Sequence, residues 1–200
     1  MPKSQNESNI FGQTLAWICH KLEAANITYM ITGGSAVGFW GQIRTTMDID
    51  VVMQIYSEHI DSFLKSIEKE VYVDKEEAKK AIAEKGMFNI IMNETYFKID
   101  CIPLNEEDLY EKEKFSRRRK MDFHGDEIFV ISPEDLIISK LIWSKSAGGS
   151  ERQLKDCEGI YSLNAKTLDL NYIKKWSRLL KIEDEFKRVA LGEDFTCEME

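Results

Sequence analysis

The sequence predicts an α+β fold: a small mixed β-sheet flanked by helices, with a helical C-terminal part. Two patterns and a length carry that prediction. Short apolar or β-branched runs, bounded by turn residues, fall before Ile131. Helical spacing of apolar residues takes over after Ser132. The chain has 200 residues and is 43% hydrophobic, enough to bury roughly 70% of its unfolded surface in one or two domains. We place the boundary at Ser132, giving a core over 1–131 and a helical subdomain over 132–200.

Each element has a local reason. Phe11, Leu15, Ile18 and Leu22 make one apolar stripe, so Ile10 to Ala25 reads as a helix. Ile27 to Thr32 reads as a buried strand. Gly33-Gly34-Ser35 breaks it, and Ala36 to Gly41 starts a short helix. Asp48 to Met53 reads as a second strand, interrupted only by its aspartates. Ser57 caps a helix through Glu70 whose Ile60, Phe63, Leu64 and Ile67 face inward. Glu76 to Lys85 is a charged, exposed helix. Phe88–Met92 and Thr95–Ile102 are strands joined at Asn93-Glu94. Asn105 caps a start with acids on the positive end of the helix dipole. Met121–Phe123 and Glu127–Ile131 flank the turn His124-Gly125-Asp126. Ser132-Pro133-Glu134-Asp135 opens a helix with a serine cap and proline in the first position. Further helices are expected near Glu151–Ser162, Leu170–Leu180 and Glu183–Ala190.

Composition excludes several classes. No apolar run reaches the ~18 residues of a membrane span, and no apolar signal segment opens the chain. The formal net charge is −8, from 27 Lys and Arg against 35 Asp and Glu, which weakens nonspecific adhesion to nucleic acid. Cys19, Cys101, Cys157 and Cys197 show neither CxxC nor zinc-finger spacing. They read as buried thiols of a cytoplasmic protein.

The chemistry lies in ITGGSAVGFWGQIRTTMDIDVVM, from Ile31 to Met53. Residues two apart on a strand share a face, so Asp48 and Asp50 are neighbours, roughly 6.5–7 Å apart at their α-carbons. Met47, Ile49 and Val51 are expected to point the other way, into core. Two carboxylates on one face of an apolar strand are costly without compensation. A divalent cation such as Mg²⁺ offsets that cost. Asp100 stands alone in a second strand. Three acids on adjacent strands would hold two metal ions about 3.5–4 Å apart. Gly33-Gly34-Ser35 follows a strand and precedes a helix, where backbone amides approach a phosphate closely. Arg44, four residues before Asp48, either neutralises a phosphate or makes an ion pair.

Strand–Gly33-Gly34-Ser35, a twelve-residue spacer, Asp48-Ile49-Asp50 and the later Asp100 together resemble the DNA-polymerase-β-like nucleotidyltransferase superfamily. Arg44-Thr45-Thr46-Met47-Asp48 looks closest to its abortive-infection AbiEii-type branch, and the resemblance spans about Ile27 to Tyr161. It implies a nucleotidyltransferase core that moves an NMP from an NTP such as ATP to an acceptor, releasing pyrophosphate. By this resemblance Gly33, Gly34, Ser35 and Arg44 bind the nucleotide. Asp48, Asp50 and Asp100 are catalytic and ligate two Mg²⁺ ions, with Mn²⁺ as an alternative. Lys140 and Asp156 match a lysine and a later acid that face the nucleotide in that branch. Read as residues, Lys140 is the one base in the apolar helical run Leu136–Leu141, reaching inward or snorkelling to solvent. Asp156 is also an i,i+4 partner for Arg152.

The acceptor stays open: tRNA, a protein hydroxyl, or a small antibiotic-like molecule. A toxin-like role would bring an antitoxin-type partner. A non-catalytic nucleotide-binding module is the alternative class. Arg117-Arg118-Arg119-Lys120 is the only basic run and reads first as a solvated face. Trp40, Trp143 and Trp176 are expected in core, and the three histidines receive no role.

Overall fold

The structure is a computed structural model that describes residues 3–41 and 46–191. Arg44 and Thr45 of the sequence motif, and Cys197, lie outside the described residues. The chain divides into two compact units: Met1–Gly38 with Ile43–Ile131, and Phe39–Gln42 with Ser132–Glu200.

Among its described residues the first unit holds a seven-stranded sheet. In chain order its elements are α1 (Lys3–Ala24), β1 (Thr28–Thr32), α2 (Gly33–Ala36), β2 (Asp48–Gln54), α3 (Ile60–Ile67), β3 (Val71–Val73) and α4 (Lys75–Glu84). Then come β4 (Phe88–Met92), β5 (Lys98–Pro103), α5 (Leu109–Ser116), β6 (Arg119–Phe123) and β7 (Asp126–Val130). A 3₁₀ turn, Val37–Trp40, follows α2. The strand order is β3-β4-β5-β2-β1-β7-β6. The sheet is mixed: β2 runs parallel to β5 and β1 to β7, while the other neighbours are antiparallel.

Strand alternation sorts apolar from acidic side chains. Ile49, Val51 and Met53 of β2 are fully buried. In register beside them lie Ile31 and Tyr29 of β1, and Ile99 and Cys101 of β5. This is the core face, and each apolar side chain on it contributes roughly 1.5–3 kcal/mol. Asp48 and Asp50 take the opposite face with Lys98 and Asp100. Met47 departs from the expectation: it precedes the first strand residue and is 68% exposed rather than in core.

Other differences are local. α1 starts at Lys3, well before Ile10, since no Gly or Pro interrupts Ser4 to Asn9. His59, not Ser57, is the residue before α3, although the four predicted apolar positions are all buried. Asp108, not Asn105, caps α5, accepting from the Tyr110 and Glu111 amides at 2.8 and 3.0 Å. Asn105 instead accepts from Glu107 in the preceding turn. β5 starts at Lys98 because Tyr96 takes a left-handed backbone (φ 57°) that closes the β4–β5 turn. β3 was not expected: three residues give too short an alternation to read.

The second unit contains, among its described residues, α6 (Pro133–Ser146), α7 (Glu151–Asn164), α8 (Leu170–Leu179) and α9 (Glu183–Leu191). The Ser132 hydroxyl accepts the Asp135 amide at 3.1 Å and donates to the Asp135 carboxylate at 2.6 Å. Tyr172 of α8 donates to the other Asp135 oxygen at 2.7 Å, and Glu134 accepts the Asp169 amide at 3.0 Å. Trp176 is buried as expected, but Trp143 is 68% exposed on α6 and belongs to no core. Among the described residues no helix is long and apolar enough to cross a membrane.

Candidate active site

Gly33 shows why this turn needs glycine. Its φ is +61°, a left-handed conformation. A Cβ there would also sit 2.8 Å from Asp50 Cβ and closer still to the Asp50 carboxylate. The turn therefore lies directly against Asp50. The Gly34 amide donates to Asp50 Oδ2 at 3.1 Å. Ser35 is buried, donates to the Thr32 carbonyl at 2.8 Å and accepts the Asp50 amide at 3.3 Å. Its hydroxyl thus ties the end of β1 to β2.

The acids come from neighbouring strands. Asp50 pairs in register with Asp100, and Asp48 with Lys98. Parallel neighbours are about 4.8 Å apart, so all four side chains share one small patch. Asp48 Oδ1 accepts from the Thr46 hydroxyl at 2.8 Å. Asp100 is 7% exposed. Its Oδ2 meets Lys98 Nζ at 2.9 Å, and its buried Oδ1 has no hydrogen-bond partner among the described residues. The Asp100 hydrogen bond, aided by the charges of Asp100, Asp48 and Asp50, holds the Lys98 ammonium above the usual lysine range against desolvation.

The donor set suits a hard divalent cation: three carboxylates, one with an unsatisfied buried oxygen. As they stand the carboxylates face Thr46, Gly34 and Lys98, and no group of three His, Cys, Asp or Glu among the described residues closes into a metal cage. The residue types and the orphan oxygen fit such an ion; the present rotamers serve protein donors instead.

Lys140 and Asp156 come together in the second unit. Lys140 Nζ lies 2.7 Å from Asp156 Oδ2 and 3.0 Å from Gln153 Oε1, and both charged side chains are buried. Lys140 therefore reaches inward between α6 and α7 rather than snorkelling. The basic run is partly engaged: Arg118 stacks on Phe115 and Phe129, and Lys120 meets Glu127 at 2.6 Å. Two participants escaped sequence reasoning. Lys98 stands two residues before Asp100, so the alternation that joined Asp48 to Asp50 also placed it on this face. Thr46 carried no signal beyond proximity to Asp48.

The fold is shared with solved transferase structures. An antigenic nucleotidyltransferase-like protein from Paracoccidioides brasiliensis aligns with a TM-score of 0.60 at 14% identity, covering 92% of this chain and 93% of that one. The lincosamide antibiotic adenylyltransferase LnuA, solved with lincomycin, aligns with a TM-score of 0.54 at 17% identity over 76% and 96% of the two chains. ANT(2")-Ia, solved with adenylyl-2"-tobramycin, gives 0.57 at 12% identity over 86% and 98%. At these identities the likeness concerns fold alone. No curated protein matches the sequence. The model for the family described as "Nucleotidyltransferase of unknown function (DUF6036)" spans residues 14–195, and to that nucleotidyltransferase family this chain belongs.

Proposed function

We propose that the protein transfers a nucleoside monophosphate from an NTP to an acceptor hydroxyl or phosphate, with release of pyrophosphate. The observation that carries this reading is the packing of Gly33 against Asp50, beside Asp48 and Asp100 on adjacent strands. The acceptor oxygen attacks the α-phosphorus in line; that P–O bond forms as the bond to the β-phosphate oxygen breaks. Asp48, Asp50 and Asp100 would hold two divalent ions, Mg²⁺ or Mn²⁺. When bound, such ions neutralise the transferring phosphoryl group and stabilise the attacking and leaving oxygens. Asp100 takes or orients the acceptor proton. Gly33 and Gly34 let the triphosphate approach the main chain. Ser35 serves that contact by fixing the turn, since its hydroxyl is engaged with Thr32 and Asp50. Arg44 would neutralise phosphate, and Lys140 with Asp156 would form a second nucleotide-facing pair.

Surface charge bears on the acceptor. A net charge of −8 and a basic run partly spent on Phe115, Phe129 and Glu127 favour a small molecule or a protein over RNA. LnuA and ANT(2")-Ia, whose structures carry lincomycin and adenylylated tobramycin, make a small-molecule hydroxyl the first acceptor to try. A toxin-like enzyme of the AbiEii type would instead modify a tRNA end or a protein hydroxyl and answer to an antitoxin-type partner.

Incubation with each α-³²P NTP, Mg²⁺ and cell extract should transfer label to an acceptor and release pyrophosphate. Asp48→Asn and Asp50→Asn should abolish transfer while circular dichroism stays unchanged. Wild-type turnover in either variant would overturn the assignment. Saturable NTP binding without pyrophosphate release would identify a non-catalytic nucleotide-binding module.

A further inference from the structure

Among the described residues, the acidic face carries a cation of its own. Lys98 lies opposite Asp48 in the β2–β5 register, as Asp100 lies opposite Asp50. Strand alternation puts all four on one side of the sheet. Lys98 Nζ sits 2.9 Å from Asp100 Oδ2, while Asp100 Oδ1 is buried with no hydrogen-bond partner among the described residues. The two partners differ in freedom. The Asp100 side chain is 9% exposed and fixed in β5, whereas the Lys98 side chain is 42% exposed. The ammonium can therefore swing into solvent without disturbing core, and the carboxylate cannot.

We propose that Lys98 is the resident counter-cation of this face, holding Asp100 in position and leaving Asp100 Oδ2 when a divalent cation binds. The inference rests on the reading of these acids as cation ligands. An ammonium and a divalent ion on one carboxylate oxygen repel each other, so binding of one displaces the other. Lys98 is thus a positioning residue that keeps three acids tolerable before a divalent cation binds. The cost is weaker divalent binding.

Mn²⁺ titration of the full chain, followed by electron paramagnetic resonance with a non-hydrolysable NTP analogue present, tests this. Lys98→Met and Lys98→Gln should bind Mn²⁺ about fivefold more tightly than wild type, the factor expected from losing a partly exposed ion pair as competitor. Lys98→Arg should bind as wild type does. In an Asp100→Asn background, Lys98→Met should change Mn²⁺ affinity little. On the wild-type protein itself, saturating Mn²⁺ should raise the rate at which an acylating reagent labels Lys98, read by mass spectrometry. Equal or weaker Mn²⁺ binding in the Met and Gln variants, or an unchanged labelling rate, overturns the proposal and leaves the metal reading standing. Absence of Mn²⁺ binding in wild type and variants alike overturns both.

Discussion

At position 33 two constraints coincide, and either alone would select glycine. The backbone is left-handed, and the space a Cβ would take is filled by Asp50. Gly33→Ala should lose about 1–3 kcal/mol from backbone strain, measured by urea unfolding. Activity should fall further than stability, since the added methyl must push Asp50 out of line with Asp100. Full turnover in a folded Gly33→Ala protein would sever the turn from the chemistry. Lys140 poses a different residue-scale question. Lys140→Met takes the ammonium away from a buried carboxylate, so it should destabilise by up to about 3–5 kcal/mol. Lys140→Met with Asp156→Leu should recover most of that loss. If the pair also faces nucleotide, the stable double variant should keep a raised KM for NTP. A wild-type KM would reduce the pair to scaffold.

Elements with their own punctuation were legible in the sequence, and elements defined by partners were not. α6 was readable at its first residue because Ser132, Pro133 and Asp135 carry the cap chemistry locally. β3 was not, because Val71–Val73 is a strand only by pairing with β4. The starts of α3 and α5 fall a few residues from the expected caps: no side chain caps α3 at His59, and Asn105 holds the Glu107 amide in the turn before Asp108 caps α5. The site divides the same way. Asp48, Asp50 and the glycine turn follow from alternation and backbone need. That Asp100 is the register partner of Asp50, and Lys98 of Asp48, depends on β2 pairing parallel with β5, which no local pattern encodes. Ser132→Ala tests the locally encoded part. It removes the cap of α6 and the hydroxyl donor to the buried Asp135, so stability should drop by about 1–2 kcal/mol in thermal or urea unfolding. A loss below about 0.5 kcal/mol would mean that tertiary packing alone sets the start of α6.

At the scale of the whole chain, the cysteines report on how the two units open. Cys19, Cys101 and Cys157 are free and fully buried. Burial pushes the Cys19 thiol up to about 12 and raises Cys101 and Cys157 as well. At neutral pH almost none of each is thiolate, the form that reacts. Attack by a disulfide reagent must therefore wait for local or global opening. A Cys197→Ser variant at pH 8 should show no fast-reacting thiol when native and three after unfolding in guanidinium. The slow native phase carries further information, because Cys19 sits in α1, Cys101 in the inner strand β5 and Cys157 in α7. Exposing Cys101 requires clearing the core face of an inner strand paired on both sides, with β2 and β4, so Cys101 should label last, as resolved by mass spectrometry of each peptide. Cys157 belongs to the other compact unit, and a labelling rate of its own would mean that the helical unit opens while the sheet stays closed. Identical rates for all three would instead require a single cooperative unfolding event.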